Sequence, residues 1–488
     1  MKNNAFDISK IQENKYHMAI MCSLVIVICV ITGWIATQDI KHIILFISGL
    51  FMLAILLYSY VRPIKIENIQ KILLYITIIA GFIGPAFLIF PFGPIHIFPY
   101  RILLPLLWFV LVIQILVSRG KLAISHIKAR PYLQFLGLWL AYAILSMSWA
   151  FSKGDAVKDI IFLFMSVSVI FFTVYYLNDY KDIDRLYRLW FIVFGALLIL
   201  GIWEHLTWQH LPVSGYYLES RPYLQYLPTG VFHNPNDYAT YLALSIPFAV
   251  GLVRYTKSIF IRLIGLVTIV TAFYFVVIVG SRANILAVLL EIAFFVLFMT
   301  NIKQKFKLII ILIMCSAVVL LFLPGPLQLF FSKLGGELMS LSGSAGLRSG
   351  SVGIRINLIR NGLMFLYSTF GFGVGAGNAE YWMSNFPIYN TLGILNPHNW
   401  WLEILVNYGI LLFFGYIAMY IGIMKNLFHI WRKASNHKER MIAESLLLSL
   451  IGFLFASISS SSIIAFNPQW LLFAFALAFL NMKRNRMV

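Results

Sequence analysis

The sequence predicts an all-α protein: a polytopic bundle of about fourteen transmembrane helices, with a long extracellular loop carrying interfacial amphipathic helices. Three observations predict it. Of 488 residues, 61% are hydrophobic and 11% charged, against roughly 45–50% and about 25% in an ordinary soluble domain. Apolar runs of about 20 residues, each able to span a bilayer as a helix, recur almost from end to end. Lys and Arg concentrate between alternate pairs of these runs, as in cytoplasmic loops.

In chain order, the spans begin near residues 18, 41, 71, 101, 132, 157, 188, 235, 260, 282, 306, 399, 443 and 468. They form one membrane domain. Residues 1–208 hold the N-terminal spans, 209–425 the spans that carry the polar motifs, with outer loops 209–234 and 324–398, and 426–488 the C-terminal spans. The first run, Ala19 to Ala36, follows a leader with Lys2, Lys10 and Lys15 and ends at Thr37-Gln-Asp without a small-residue cleavage site, so it reads as a retained span. Irregular segments are expected near Pro85 and Pro94 and around Ser457 to Ser462. Cys22, Cys29 and Cys315 lie inside apolar runs with no metal-ligand spacing, and they offer no disulfide framework.

The net charge of +19 would suit a nucleic-acid binder if it lay on one exposed face. Its distribution says otherwise. With both termini in the cytoplasm, 27 of the 37 Lys and Arg fall in inner segments, 6 in outer segments and 4 in the long outer loop. Long loops count little towards orientation, so the charge is mostly a topology signal and nucleic acid is excluded as a partner.

A loop as long as 324–398 suggests function. Within it Ile356, Ile359, Leu363 and Leu366 recur at helical spacing, with Asn357, Arg360 and Asn361 opposite, which predicts an amphipathic helix at the outer interface. At about 100° per residue, Arg355 falls on the apolar face and points to the membrane cavity, whereas Arg360 falls on the polar face.

Three polar clusters open spans that run from outside to inside. In Gly230-Val-Phe-His-Asn-Pro-Asn-Asp-Tyr, Asn234 can cap a helix and Pro235 can take its first position, while His233, Asn234 and Asn236 are candidate substrate contacts. In Gly280-Ser-Arg-Ala-Asn, Ser281 is a plausible cap and Arg282 lies on the first turn. Unpaired amides and a positive dipole end beside an arginine make a phosphate site. A snorkelling anchor is the alternative, but the charge rule depletes this side of arginine. In Asn396-Pro-His-Asn-Trp-Trp-Leu-Glu, a helix N-terminus keeps His398 neutral and able to accept a proton, as a general base must. The alternative is an interfacial histidine beside the aromatic belt of Trp400 and Trp401.

Glu403, one turn deeper, is a carboxylate within the membrane, able to orient His398 or pair with an arginine; Glu204 and Glu291 raise the same question. The run Gly371-Phe-Gly-Val-Gly-Ala-Gly lacks the strand-turn-helix context of a nucleotide fingerprint and reads as flexible backbone near the pocket. No Asp-rich metal motif appears, and neither metal nor cofactor is expected.

Taken in order, the Gly230 to Tyr238 motif, the Ser281-Arg282 pair opening a span, a long outer loop with Arg355 and a Gly-x-Gly turn (Gly371 to Gly377), and His398-Asn-x-x-Leu402 resemble the O-antigen ligase and polysaccharide polymerase superfamily. The resemblance covers about residues 210 to 425. Within the superfamily, the length and basic, isoleucine-rich character are similar to the teichuronic acid polymerase type of Gram-positive cell walls. It implies a metal-independent glycosyltransferase of the cell membrane. Donor and acceptor would be undecaprenyl pyrophosphate-linked oligosaccharides, and other polysaccharide-synthesis membrane proteins would be partners. Arg282, Arg355 and Ser281 would hold the pyrophosphate, His398 with Glu403 would carry the chemistry, and Asn234, Asn236, His233 and Asn399 would meet the glycan.

A lipid-linked oligosaccharide flippase is the competing class. Transporters usually show internal repeats and a midplane site made by broken helices. No repeat relates the two halves, and the polar clusters gather at the outer face.

Overall fold

A computed structural model describes residues 66–92, 95–117, 124–307, 310, 351–458, 460 and 463–485. The predicted spans starting near 18 and 41, the one starting near 306 beyond its first residues, the three cysteines and the loop up to residue 350 lie outside the described residues. A helix occupies each of the other eleven predicted segments. These are α1 (Ile66–Ile83), α2 (Pro99–Val117), α3 (Arg130–Ser146), α4 (Lys153–Tyr176), α5 (Tyr180–Thr207), α7 (Pro235–Tyr255), α8 (Ile259–Val279), α9 (Arg282–Phe298), α12 (Trp400–Lys433), α13 (His437–Ala456) and α14 (Asn467–Asn485). The short α6 (Pro222–Gln225) lies in the first outer loop; α10 (Ser351–Ser368) and α11 (Ala379–Asn385) lie in the second.

Among the described residues, α4, α5, α8 and α12 are long and apolar enough to cross a membrane on length and composition alone. Others gain their place by burial. Residues 70–488 form one unit, in which α7 packs on α8 and α13, α9 on α13, and α14 on α4. Along α7, α13 and α14 most side chains are buried, whereas α8 turns Phe260, Val267 and Val270 outward and α12 exposes Leu411 and Phe414. Apolar residues facing outwards suit a lipid solvent.

Ends that the charge rule assigns to the inside carry ion pairs. Lys71 meets Asp182 at 2.7 Å, Lys483 meets Glu439 at 2.7 Å, and Arg254 meets Glu444 at 3.0 Å. Asn481 Oδ1 accepts from the amides of Lys128 and Ala129 at 2.6 and 3.1 Å, fixing the start of α3 against the end of α14.

One element departs from an all-α fold. β1 (Phe90–Phe92) and β2 (Ile95–Ile97) form a small antiparallel hairpin between α1 and α2. Pro85, Pro91 and Pro94 remove the amide donors a helix would need there.

At 34 residues, α12 as a straight helix would run about 51 Å, well beyond the roughly 30 Å hydrocarbon core. It breaks at Gly409, where φ is 81° and ψ 179°. The glycine run fills the break. Val374 N donates to Val406 O at 2.8 Å, Gly375 N to Asn407 O at 3.0 Å, and Ile410 N to Gly371 O at 2.9 Å. Backbone groups released by the broken helix are thereby satisfied by the outer loop. Gly371, Gly373, Gly375 and Gly377 all have positive φ. A Cβ on Gly373 would lie 2.6 Å from Gly409 N and 2.7 Å from Asn407 O. The run is therefore close-packed, which corrects its reading as flexible backbone. Composition alone cannot distinguish glycine chosen for freedom from glycine chosen for close approach.

Candidate functional site

The first outer loop ends at Asn234, whose Oδ1 accepts from Asp237 N at 2.9 Å and whose Nδ2 donates to Asp237 Oδ2 at 3.0 Å, with Pro235 in the first helical position. The sequence-predicted cap is thus in place. Asp237 is buried, and its Oδ1 accepts the Ser460 hydroxyl at 2.6 Å. One turn deeper, Thr240 donates to Asn284 Oδ1 at 3.1 Å, and Asn284 Nδ2 reaches Ser281 Oγ at 2.9 Å and the Asn236 carbonyl at 3.3 Å. These bonds fasten the starts of α7 and α9 together and set Arg282, the first residue of α9.

Ser281 occupies the capping position but makes no side-chain cap hydrogen bond. Its hydroxyl accepts from Asn284 instead. The expected cap gives way to a cross-helix network, so Ser281 does not occupy the first-turn amides of α9.

Arg355, on the first turns of α10, is half-buried, and its Nη1 donates to the Ile458 carbonyl at 3.4 Å. Burial and the charge of Arg282 hold its pKa below that of a free guanidinium. Two like charges therefore act on one another in a partly desolvated place, which favours an anion.

His398 precedes α12 with φ 49°, and its amide donates to Asn396 Oδ1 at 2.7 Å. Asn399 caps the helix, accepting from Trp401 N at 3.2 Å and Leu402 N at 3.4 Å. Burial and Arg355 hold the imidazole below its usual pKa, against a hydrogen bond to the backbone of Ser460 and the carboxylates of Asp237 and Glu380. The ring favours its neutral form, as expected. The causes named here are desolvation and Arg355, where the sequence suggested the helix terminus.

Arg355 is thus coupled electrostatically to both Arg282 and His398, which links the N-terminal ends of α9, α10 and α12. Asn236 contributes its backbone carbonyl to the bonds at the start of α9. His233 is exposed and turned onto the neighbouring loop, its Nδ1 3.2 Å from the Val213 carbonyl. Glu403 is buried, its Oε1 has no hydrogen-bond partner and it forms no ion pair among the described residues; its charged neighbours are Glu380 and Asp159. Glu204 holds the first outer loop, accepting from Thr229 N at 2.8 Å and Gly230 N at 2.6 Å, with His210 Nδ1 3.3 Å away. Glu291 lies buried against Gly452, apart from the outer cluster.

On α10 the polar face turns to protein. Asn361 is fully buried, accepting from the amides of Ile388 and Tyr389 at 3.0 and 2.8 Å and donating to the Tyr389 carbonyl at 2.8 Å. Of the expected apolar stripe, Ile359 and Leu363 are exposed and Leu366 is buried. Asp237, Asn284, Ser460 and Glu380 were not singled out from sequence. Asp237 and Asn284 stand three residues after the cap positions Asn234 and Ser281, a local spacing that could have marked them; Ser460 and Glu380 join the site across long separations.

Two comparisons with known proteins cover this part of the chain. Residues 240–417 match the family model described as O-antigen ligase, a span that includes Arg282, Arg355, His398 and Glu403. The chain is 29% identical over 426 residues to the teichuronic acid biosynthesis protein TuaE of Bacillus subtilis (strain 168), covering 86% of each chain. The resemblance read from the motifs is borne out.

Proposed function

We propose that the protein is a membrane glycosyltransferase that polymerises or ligates undecaprenyl pyrophosphate-linked glycan units at the outer face of the cytoplasmic membrane, in polysaccharide biosynthesis of the teichuronic acid type. The observation that supports this reading is the electrostatic coupling of Arg355, at the start of α10, to both Arg282, at the start of α9, and His398, just before α12. The family match over that segment and the name of the Bacillus subtilis relative support it.

In this mechanism an acceptor sugar hydroxyl attacks the anomeric carbon of the donor. A new C–O bond forms, the bond to the pyrophosphate oxygen breaks with its electron pair leaving on the pyrophosphate, and the hydroxyl proton passes to His398. Arg282, Arg355 and the first-turn amides of α9 neutralise the departing charge, which removes the need for a metal. Asn234 and Asn399 act through the helix ends they cap, Asn236 and His233 border the glycan path, and Glu403 lies one turn below His398 as a secondary acid–base group. A lipid-embedded donor reaches such a site along the membrane.

The broken α12 is a feature that transporters share. Here the break is filled by loop backbone, which favours transfer over transport. The deciding experiment uses purified protein in liposomes with a defined pyrophosphate-linked repeat unit. Chain growth matched by released undecaprenyl pyrophosphate is expected; substrate crossing the bilayer without chain growth would establish the flippase instead.

A further inference from the structure

Between α11 and the loop that follows it lies an open cavity of about 570 Å³ that the mechanism above does not use. Its wall includes Met383, Ser384, Tyr389, Asn390, Thr391 and Leu395, a mixture of an aromatic ring, hydroxyls, an amide and apolar side chains. That is the surface a sugar requires, since a pyranose presents apolar C–H faces and a rim of hydroxyls.

The wall is built rather than adventitious. Asn361 makes three hydrogen bonds to the backbone of Ile388 and Tyr389. Asn357 Nδ2 donates to the Asn390 carbonyl at 2.8 Å, and the Asn390 side chain accepts from Leu392 N at 2.8 Å. Arg360 lies over the Tyr389 ring, 5.4 Å from its centroid, and forms no ion pair among the described residues. Asn357, Arg360 and Asn361 all belong to α10, the helix that carries Arg355. Arg355 and Asn361 are six residues apart, a rise of about 9 Å, or roughly two sugar rings.

We propose that this cavity is a glycan subsite for the sugars nearest the pyrophosphate, and that Arg360 selects an acidic sugar there by pairing with its carboxylate. The inference rests on the reading of Arg355 as a pyrophosphate ligand. One rigid helix then sets the distance between the leaving group and the sugar it carries. Tyr389 offers ring contact and Ser384, Asn390 and Thr391 offer hydrogen bonds. Arg360 is not itself part of the cavity wall but lies over the ring of Tyr389, which is, and it has no acidic partner among the described residues, so a sugar carboxylate beside that ring would meet it.

The test is saturation-transfer NMR on full-length protein in nanodiscs, with a tetrasaccharide alternating glucuronate and N-acetylglucosamine and with neutral maltotetraose as comparison. Transfer to the acidic tetrasaccharide is expected, retained in His398→Ala and lost in Ser384→Trp, which fills the cavity from an exposed position. Arg360→Gln should weaken binding about tenfold, the loss of one charge-assisted hydrogen bond, and maltotetraose should bind more weakly by a similar factor. No transfer from the acidic tetrasaccharide, or transfer surviving Ser384→Trp, overturns the subsite. Equal binding of maltotetraose, or an unaffected Arg360→Gln, overturns the acidic selectivity. A thermal melt of each variant shows that it is folded. Chain growth is not read, so the subsite and the polymerase reading fail independently.

Discussion

The Ser460 hydroxyl donates to Asp237 Oδ1 at 2.6 Å, joining the turn beyond α13 to the first turn of α7 across 223 residues. The backbone of Ser460 also meets His398, and the Asp237 carboxylate acts on the same imidazole. One contact therefore couples helix packing to the protonation of the proposed base.

His398 should act in its neutral form, so activity should fall as pH drops and the ring takes up a proton. Because its pKa is lowered from 6.5, the acid limb of the rate profile should lie below that value. Glu380 and Asp237 pull the pKa upward, so Glu380→Gln should move the limb to still lower pH. His398→Ala should cut turnover per folded molecule by about 10²- to 10⁴-fold while donor binding stays near wild type. A fully active His398→Ala would end the general-base assignment.

Arg282→Ala should cost about 10²- to 10³-fold in turnover through lost stabilisation of the leaving group. Arg282→Lys should recover only part of it, because a lysine cannot hold phosphate in bidentate fashion. Both are measured as polymer formed per folded protein, and wild-type activity should persist in a metal chelator. Strict dependence on added Mg²⁺ would contradict charge neutralisation by the arginines.

Gly373→Ala should destabilise by more than the roughly 1–2 kcal/mol cost of a left-handed alanine, because its Cβ would also press on Gly409 N and Asn407 O. Gly393 has φ 79° with nothing within 4 Å of an added Cβ, so Gly393→Ala should lose only the conformational part. Thermal unfolding of the two variants should differ in that order. Equal melting temperatures would argue against the filled break.

Cysteine at exposed Asn385 should react with an impermeant reagent in intact cells, and cysteine at exposed Ser435 should not. The reverse pattern would invert the membrane orientation and place the candidate site in the cytoplasm.

What could be read from the sequence was local or periodic. Asn234 and Pro235 are adjacent to the helix they start, so the cap of α7 was visible; helical spacing put Arg355 on the apolar face of its helix, and its pairing with Arg282 came from the family resemblance. Asn361 was read as polar and therefore turned away, yet it is buried because residues 388–389 return to cover it. The Asp237–Ser460 pair and the fit of residues 371–377 into the Gly409 break depend on approaches between distant segments. Neither hydropathy nor spacing encodes such meetings.

The glycine-filled break also sets an order of assembly. Residues 410–433 comprise 24 helical positions, about 36 Å of rise, so that part of α12 can enter the bilayer as an ordinary span. Trp400 to Tyr408, which directly follows His398, can take its final place only once the backbone of residues 371–375 has docked beside Gly409. Membrane insertion and completion of the site should therefore be separable in biogenesis. A variant impaired only in the second should accumulate as a fully integrated but inert protein.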